Sequence, residues 1–326
     1  MQWKILDHAA MAPSGHNTQP WTISAVEPER WVLGSAPARW LPAVDPTNRE
    51  TLLSLGAFLE NLVQAAESQG FGVDYRVVAR TARDAEVVDL RLKPGAPRDH
   101  DLSHLRGRRT IRKGMQPASL AKEDVDYLLQ HDPGSFLVFP RGSREAALLA
   151  AKTLEANRLQ AERSAAQAEL ADWIRWSDAD VERHRDGLSP ATMEIEGLAG
   201  WYVRTFYDRS NVLTPAFRRR TVELIEALVQ EGGGWILKLS ADEDPGTLIE
   251  AGRSWERMFL RCRSRNVALH PMTQALEEPS CRDDLTRQLG LRRPVQFILR
   301  VGYRTPYPEP VSPRRPAAWF LKEART

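Results

Sequence analysis

Alternation of apolar and polar residues along the chain predicts a set of short β-strands. The segments WTISAV (21–26) and RWVLGS (30–35) alternate with the period of two that is typical of strands, and a turn separates them. Further strands are predicted at 73–80, 86–92, 135–140, 235–240 and 295–303. The last of these, VQFILRVGY, is predicted to be buried because it is apolar at most positions.

Apolar residues that recur three and four positions apart predict helices between these strands. One such stripe comprises Leu52, Leu55, Leu59, Leu62, Val63 and Ala66. Thr47 and Glu50 have the T-x-x-E spacing of a capping box, so this helix is predicted to begin there and to end at Gly70. Further helices are predicted at 2–11, 144–175, 217–230 and 247–266, with a basic helical opening at 105–115.

Two of the predicted helices resemble each other. Residues 55–72 align without gaps on residues 251–268, and the apolar stripe is shared. Identical residues in this alignment are Gly56 with Gly252, Glu60 with Glu256, and Ser68 with Ser264. Amphipathic helices often match this well without common descent, so two interpretations stay open. The match is either coincidental or the trace of a duplication, in which one chain holds two halves that pack as a dimer would.

Composition and charge narrow the class of protein. The chain has 326 residues, enough for one large domain or two ordinary ones, and its hydrophobic content of 42% is that of a globular protein with a buried core. The net charge is only +2, and the many arginines are spread along the chain and largely matched by acids. No nucleic-acid-binding face is therefore predicted.

The cysteine content and the hydropathy of the chain indicate the cellular compartment in which the protein is expected. The chain contains only two cysteines, Cys262 and Cys281, which argues against a disulfide framework or a zinc site. No apolar run reaches membrane-spanning length, and the N-terminus lacks the apolar core of a signal peptide. The protein is therefore expected in the cytoplasm and away from membranes. His100 and His104 flank an acid but lie in a predicted loop without a further ligand, so no metal site is expected.

The stretch APSGHNTQPW (12–21) is unusually polar for a connection that directly follows a helix. A plain turn needs a glycine or a proline, not six short polar or glycine residues in a row. One interpretation is a tight surface turn in which Asn and Ser side chains cap local N–H groups. The other is a ligand-binding loop, in which short side chains and backbone N–H groups pair with a buried polar ligand, and Gly15 lets the backbone approach it.

Six segments resemble those of one protein family in the same order. They are APSGHNTQPW (12–21), DPTNRETLLSLGAFLENL (45–62), RRTIRKGM (108–115), the helix 251–266 with HPMTQALE (270–277), VQFILRVGY (295–303) and SPRRP (312–316). The first resembles the signature loop of the FMN-dependent nitroreductase fold. Together they resemble the Acg-type flavoproteins, a single-chain branch with two nitroreductase-like halves. The resemblance covers most of the chain and is weakest in 155–216.

The resemblance implies an α+β fold of the FMN-dependent nitroreductase type, with two related halves that form a pseudo-dimer in one chain. The first half is expected at 1–104 and the second at 105–326, in a monomer with pseudo-dimeric halves or in a homodimer. Residues 155–216, called the insert below, are expected to form a lid over the flavin, and 304–326 an extended C-terminal arm. The aromatic residues of the insert are Trp173, Trp176, Trp201, Tyr202, Phe206 and Tyr207.

The resemblance also implies which residues bind FMN. Contacts to the flavin ring are expected from Pro13, Ser14, Gly15, Asn17 and Gln19, and from Pro271, Met272, Thr273 and Gln274. Contacts to the phosphate and to the N1–C2=O edge of the ring are expected from Arg108, Arg109, Thr110, Arg112, Arg314 and Arg315. Guanidinium groups suit this role because their forked donors match phosphate oxygens. One FMN per chain is expected, because 2–11 and 187–195 lack the residues of a second site.

The implied activity is the NAD(P)H-dependent reduction of small-molecule electron acceptors, such as nitroaromatics or quinones, by ping-pong hydride transfer. No side chain is expected to act as a catalytic acid or base, because the flavin N5 carries the chemistry. A closed lid would exclude nicotinamide. Two alternatives therefore stay open, which are a protein that sequesters or stores FMN without turnover, and an interaction scaffold that binds no flavin.

Overall fold

The computed structural model describes residues 2–322. These residues form two separate β-sheets. The strands are β1 (Trp21–Glu27), β2 (Arg30–Ser35), β3 (Phe71–Val77), β4 (Glu86–Pro94), β5 (Phe136–Pro140), β6 (Gly234–Leu239), β7 (Val267–Pro271), β8 (Val295–Tyr303) and β9 (Leu321–Lys322). The first sheet has the order β3-β4-β2-β1-β9 and the second β5-β6-β8-β7. Neighbouring strands are antiparallel except β1 and β9. The fold is of the mixed α+β class.

All seven predicted strands are confirmed, with ends within three residues of the predicted ones. β8 is buried along nearly its whole length, as its apolar sequence predicts. Sequence patterning missed β7 and β9. β7 is only five residues long and follows the preceding helix closely, and β9 has two residues, too few for any alternation to be visible.

Helices cover the sheets and connect them. They are α1 (Gln2–Ala9), α2 (Arg49–Ser68), α3 (Ser103–Gly107), α4 (Lys122–Leu129), α5 (Arg144–Glu162), α6 (Ser164–Asp172), α7 (Asp178–His184), α8 (Gly197–Phe206), α9 (Arg209–Val212), α10 (Pro215–Leu228), α11 (Pro245–Arg261), α12 (Gln274–Glu277) and α13 (Pro279–Gln288). Among the helices of residues 2–322, none is both long and apolar enough to span a membrane.

The predicted helix at 144–175 is wrong in its length. It breaks at Arg163, whose backbone is extended (φ −75°, ψ 106°) between α5 and α6. The Arg163 guanidinium reaches across to the carboxylate of Glu278 and to the carbonyl oxygen of Ala43. These contacts hold the chain between two distant segments, and the break turns α6 toward the loop after β2. The break could not be predicted from the local sequence, because residues that favour helices (Ala, Glu and Leu) lie on both sides of it.

Two further predictions are also wrong. One concerns residues 108–115, called the arginine segment below, and the other concerns the start of α2. Of the predicted basic helix 105–115, only residues 105–107 are helical, as the end of α3. The chain from Arg108 onward is extended, and the Ile111 N–H donates to Leu269 O of β7 (3.1 Å). The capping box of Thr47 is absent from the described residues. Instead, the Asp45 carboxylate accepts the backbone N–H of Thr51 (3.0 Å) and so satisfies the first turn of α2.

The helices α2 and α11 pack against each other at the centre of the molecule, in one hydrophobic core that includes residues of both sheets. A Cβ on Gly56 would lie 2.2 Å from the carbonyl oxygen of Ile249, and a Cβ on Gly252 would lie 2.1 Å from that of Leu53. The offset that aligns Gly56 with Gly252 also aligns Leu53 with Ile249. The contact is therefore reciprocal, and it is close because both crossing residues lack a side chain.

The C-terminal arm leaves the second sheet and ends in the first. Residues 304–316 contain no helix or strand, as their proline content predicts. After a short turn, β9 adds to the edge of β1, and the Ile23 N–H donates to Phe320 O (2.9 Å). The Phe320 ring lies edge-on to Phe58 of α2 in the core, with ring centroids 5.9 Å apart. The predicted arm extends to 326, and its last four residues lie outside the described part.

Candidate functional site

A cavity of about 440 Å³ lies between the polar loop, the arginine segment, the insert and the C-terminal arm. The structure brings eleven of the fifteen predicted FMN-binding residues to its wall, namely Pro13, Ser14, Gly15, Asn17, Arg108, Thr110, Arg112, Pro271, Thr273, Gln274 and Arg314. These residues come from four segments that are far apart in sequence. Convergence of this kind in one concave space is typical of a ligand-binding site.

The polar loop at 13–19 has a tightly specified backbone. His16, Asn17 and Gln19 all have positive φ angles (47°, 55° and 52°), a conformation that is uncommon for residues other than glycine. The Ser14 hydroxyl accepts the N–H of Gln19 (2.9 Å), and the Asn17 amide donates to Gly187 O of the insert (3.1 Å). Strained backbone persists only where surrounding contacts determine it, and such residues cluster at functional sites.

Two predicted residues, Gln19 and Arg315, bond to each other rather than lining the cavity. The Gln19 side-chain oxygen accepts the N–H of Arg315 (2.8 Å), and the Arg315 guanidinium donates to Gln19 O (2.9 Å) and Trp319 O (2.9 Å). The Gln19 amide group also donates to Arg185 O of the insert (2.8 Å). Their role in this structure is to fasten the loop to the C-terminal arm and to the insert.

Arg109 and Met272 also lie outside the cavity wall. The Arg109 guanidinium donates to Glu309 O (2.5 Å) and lies 3.6 Å from the Glu194 carboxylate. Met272 is fully buried in the core beneath the second sheet, and its N–H donates to Ile298 O of β8 (2.8 Å). The Met272 amide is therefore engaged and is not free to donate to a ligand.

One end of the cavity holds two neighbouring guanidinium groups. Arg108 Nη2 and Arg314 Nη2 both donate to the carbonyl oxygen of Met11, at 2.7 and 3.2 Å. Burial lowers the pKa of Arg314 to about 9, and the charge of Arg108 lowers it further in the same direction. Within residues 2–322, the Nε atoms of both arginines lack a hydrogen-bond partner. Two like charges that share one neutral acceptor form a site that attracts an anion.

Behind Arg108 lies Glu256, a carboxylate on α11 that the solvent does not reach. Its Oε1 lies 3.4 Å from Arg108 Nε. Burial raises the pKa of Glu256 to about 7, although the charges of Arg108 and Arg314 and the Asn61 amide oppose the shift. Sequence analysis noted Glu256 only as a match to Glu60 and did not connect it to the site.

A third arginine, Arg112, lines the cavity beside two histidines. Burial lowers the pKa of Arg112, and the Arg112 guanidinium donates to Thr192 O of the insert (2.7 Å). Burial, reinforced by the charge of Arg112, lowers the pKa of His16 to about 4 and that of His270 well below its usual value. Both imidazoles are therefore neutral near pH 7, and Arg112 keeps the local potential positive.

Two carboxyl groups that sequence analysis did not assign to the site, Glu50 and Glu277, also line the cavity. Burial raises the pKa of Glu50 to about 7, even though Arg49 Nη2 lies 2.8 Å from Glu50 Oε1. Burial and the nearby Glu50 raise the pKa of Glu277 well above its usual value, and Gln160 donates to Glu277 Oε2 (2.5 Å). Near pH 7 the cavity therefore combines guanidinium groups with the largely protonated carboxyl group of Glu277 and the partly protonated carboxyl group of Glu50.

The insert closes one side of the cavity and is fastened by ion pairs. The Asp186 carboxylate, which is buried, pairs with Arg39 (2.8 Å) beside the polar loop and with Arg175 (2.7 Å) within the insert. The Glu194 carboxylate accepts the backbone N–H of Arg112 (3.2 Å). These contacts link the insert to the two segments that carry most of the predicted FMN-binding residues.

Four of the six aromatic residues of the insert show two contrasting environments. Trp176 is buried and lines the cavity. Trp201, Tyr202 and Phe206 project from α8 and are 57%, 52% and 58% exposed, so they do not cover the cavity. The aromatic content of the insert as a whole was therefore a poor indicator of which residues approach the site.

The two histidines considered as metal ligands have other partners. His100 Nε2 lies 2.7 Å from a Glu67 oxygen, and His104 Nε2 lies 3.2 Å from an Asp101 oxygen. Across residues 2–322, there is no cluster of three His, Cys, Asp or Glu side chains arranged to hold a metal ion.

No protein-family model matches the chain. It is 24% identical to "Probable NAD(P)H nitroreductase PigM" of Serratia sp., over 95% of this chain and 89% of that protein. It is also 24% identical to "Putative NAD(P)H nitroreductase Rv3131" of Mycobacterium tuberculosis, over 95% of this chain and 88% of that protein. "Uncharacterized protein Rv3127" of the same species is 24% identical over 98% of this chain and 92% of its own length.

Two solved structures show partial likeness. The FMN-dependent nitroreductase NfnB from Mycobacterium smegmatis, in complex with NADPH, superposes with a TM-score of 0.44 at 14% identity, over 68% of this chain and 96% of that one. A nitroreductase-like family protein from Bacillus cereus superposes with a TM-score of 0.38 at 11% identity, over 69% and 96%. The relatives that match over nearly their full length support a distant relationship of this chain to the nitroreductase-like oxidoreductases.

Proposed function

We propose that the cavity binds one FMN, with the phosphate between Arg108 and Arg314. The observation that carries this proposal is the pairing of these two guanidinium groups on the Met11 carbonyl oxygen. Their repulsion in a buried site is relieved by an anion with several acceptor oxygens, and forked guanidinium donors match a phosphate. In the described part of the chain, the Nε atom of Arg314 has no hydrogen-bond partner and supplies a further donor.

The remaining wall suits the other parts of FMN. A volume of about 440 Å³ lies within the range of roughly 300–1,000 Å³ that is usual for small-molecule sites. The loop at 13–17 and residues Pro271, Thr273 and Gln274 would contact the flavin ring, with Thr110 and Arg112 at its N1–C2=O edge. When bound, FMN supplies the hydride transfer, and the chain orients the flavin and sets the potential around it.

The proposed activity is NAD(P)H-dependent reduction of a small-molecule acceptor, such as a nitroaromatic or a quinone, in ping-pong fashion. The names of the full-length relatives support this reaction class. The fixed positive charge of Arg112 would favour negative charge at the neighbouring edge of the reduced ring, and this raises the reduction potential. Because His16 and His270 are neutral near pH 7, they add no charge that would change with pH in that range.

We also propose that the two sheets with their central helices form a pseudo-dimer that arose by duplication. The reciprocal contact at Gly56 and Gly252 supports this, because a twofold interface brings the same residues together from both sides. A single flavin site is expected, because Glu60, which aligns with Glu256, pairs with Arg253 and Arg257 of the opposite helix and not with arginines of a cavity.

A second candidate function, FMN sequestration without turnover, is favoured by the fastened insert. Asp186 pairs with Arg39, whose guanidinium also donates to Thr18 O of the polar loop, and Glu194 accepts the backbone N–H of Arg112. If these contacts stay closed after FMN binds, nicotinamide has no access to the exposed face of the flavin.

The test is a titration of flavin-free protein with FMN, followed by anaerobic reduction. Binding of one FMN per chain would support the site, whereas two FMN per chain, or none, would contradict it. Rapid bleaching of the bound flavin by NADPH supports the oxidoreductase. Bleaching by dithionite but not by NADPH or NADH supports sequestration.

A further inference from the structure

The Glu256 carboxyl group is buried without adequate compensation in the ligand-free protein. It is fully inaccessible to solvent, and neither of its oxygens accepts a hydrogen bond of normal geometry within residues 2–322, although the Asn61 amide lies close enough to favour the ionised form. Buried carboxylates normally accept several hydrogen bonds or pair closely with a cation, because the loss of hydration is costly. Arg108, at 3.4 Å, satisfies this need only in part.

The groups around Glu256 come from four segments. They are Arg108 of the arginine segment, Arg314 of the C-terminal arm, Glu60 and Asn61 of α2, and Cys262 at the end of its own helix α11. The two arginines favour the ionised form of Glu256, while burial and the charge of Glu60 favour the protonated form. Opposing influences of this size leave the protonation state sensitive to any further charge in the neighbourhood.

We propose that Glu256 is the counter-charge of Arg108 and Arg314 in the ligand-free protein, and that a phosphate group bound by these arginines causes Glu256 to take up one proton. This inference rests on the proposed function, because it requires a phosphate between the two arginines. Glu256 is a positioning residue, since it acts on the ligand through Arg108. The proton comes from solvent and forms the O–H bond of a neutral carboxylic acid.

The physical reason is competition between two anions for the same cations. A phosphate dianion beside Arg108 and Arg314 neutralises the charges that stabilise the Glu256 carboxylate, and it adds negative charge to the same buried region. Both effects favour protonation of Glu256. The folded protein already has a pKa of about 7 at this group, so the change falls in the neutral range.

Two consequences distinguish this arrangement from a simple arginine clamp. FMN should bind more weakly as the pH rises above about 7. In that range Glu256 is ionised before binding, and its protonation on binding costs more free energy at each higher pH. Riboflavin, which has the same ring but no phosphate, should bind without this dependence. The site is thereby selective for phosphorylated flavin most strongly at slightly acid pH.

The experiment is isothermal titration calorimetry of FMN into the flavin-free protein, in two buffers with different ionisation enthalpies at about pH 8. The difference in apparent enthalpy between the buffers reports the number of protons taken up. The pH is kept near 8 because Arg314, with its pKa of about 9, stays largely protonated there. We expect uptake of close to one proton per FMN, and a loss of FMN affinity of roughly fivefold between pH 7 and pH 8.

The matched variants are Glu256→Gln and Glu60→Gln, at aligned positions on the two central helices. Glu256→Gln should abolish the proton uptake and bind FMN more tightly than wild type at about pH 8, by roughly tenfold. Glu60→Gln should retain the uptake. Riboflavin binding to the wild type should show no Glu256-dependent uptake.

Equal proton uptake in the wild type and in Glu256→Gln, or none in the wild type with FMN bound, would overturn this inference and leave the proposed FMN site intact. Failure of the wild type to bind FMN would overturn both. If Glu256→Gln does not fold, the pH dependence of FMN and riboflavin affinity in the wild type decides, since identical dependence for the two ligands contradicts the proposal.

Discussion

The two sides of the central helix pair differ at one aligned pair of glutamates. Glu60 on α2 lies 3.0 Å from Arg253 Nη2 and 3.1 Å from Arg257 Nε, both on α11. Glu256 on α11 faces α2 in the equivalent manner but meets no arginine there. The alignment explains the difference, because the positions of α2 that match Arg253 and Arg257 are Ala57 and Asn61.

Under the proposed duplication, this difference explains how a nearly symmetric scaffold would carry a single site. On the Glu60 side, the opposite helix supplies both cations, so that the charges are satisfied within the helix pair. On the Glu256 side, the cations come from Arg108 and Arg314, which also line the cavity. Two differences between the aligned helices are enough to close one side with ion pairs and, in the proposed site, to leave the other able to exchange charge with a ligand.

The largest expected effect concerns the feature that the two sides share. Gly56→Ala and Gly252→Ala should each destabilise the protein by about 3 kcal/mol, because the new methyl group would overlap a carbonyl oxygen of the opposite helix. The two losses should be similar because the contact is reciprocal. Thermal unfolding measures both, and Gly134→Ala, with no atom within 4 Å of its Cβ, is the control. A large loss from only one of the two glycine variants would break the symmetry argument.

The next effect tests the functional side alone. Arg108→Ala should weaken FMN binding by about 1.5–3 kcal/mol, because it removes charge-assisted hydrogen bonds to the phosphate. Arg253→Ala removes a comparable arginine from the Glu60 side and should leave the FMN affinity unchanged. Fluorescence titration with FMN measures both affinities. A similar loss in the two variants would mean that Arg108 acts on stability rather than on the ligand.

A smaller effect should have opposite signs at the two glutamates, because replacing Glu256 should stabilise the folded protein and replacing Glu60 should destabilise it. The pKa of Glu256 rises from its ordinary value of 4.5 to about 7 on folding. Between about pH 4.5 and pH 7, the folded protein therefore keeps this carboxyl group protonated while the unfolded chain has lost the proton. Its contribution to stability is therefore present below about pH 4.5 and is lost as the pH rises through about 7. In the flavin-free protein at about pH 8, Glu256→Gln should stabilise by about 1–2 kcal/mol.

Glu60→Gln should instead destabilise by about 1–2 kcal/mol, because Arg253 and Arg257 lose their shared counter-charge. Urea unfolding at about pH 5 and about pH 8 measures both variants. Changes of the same sign at pH 8 would show that the two glutamates have equivalent surroundings, contrary to the comparison.

The smallest effect concerns the insert, which covers the functional side. Asp186→Asn should speed FMN release by roughly fivefold, because a loss of about 1 kcal/mol weakens the pairing with Arg39 and Arg175. Asp89→Asn, which breaks the Arg30–Asp89 pair in the first sheet, is the matched control and should not change release. Stopped-flow displacement of FMN measures the rates. Unchanged release in Asp186→Asn would show that the insert is held by its other contacts.

Several features of the fold followed directly from local pattern. Alternating segments and short, nearly continuous apolar runs became strands β1 to β6 and β8, because both patterns suit an extended chain with one or both faces buried. The features that were predicted wrongly or missed depend on contacts with residues that are distant in sequence. Arg163 breaks a helix because Glu278 and Ala43 bind its side chain, and β9 exists only because β1 offers a free edge.

The candidate site shows the same division. The polar loop and the arginine segment stand out in the sequence because so many short polar or cationic residues adjoin each other. The sequence could not indicate that Gln19 and Arg315 bond to each other, nor that Glu50 and Glu277 share the wall of the cavity. Their positions depend on how the arm and the insert return to the loop.

By itself, the sequence determined the secondary structure of most of the chain, the likeness of the two central helices and the supply of polar and cationic residues for a site. These properties are local, since they depend on the spacing and the type of neighbouring residues. Only the tertiary structure decided which arginines meet which carboxylates, and so which side of the helix pair is the candidate site. The reason is that charge and burial act between residues that are distant in sequence, and the free energy of a buried charge depends on every group that surrounds it.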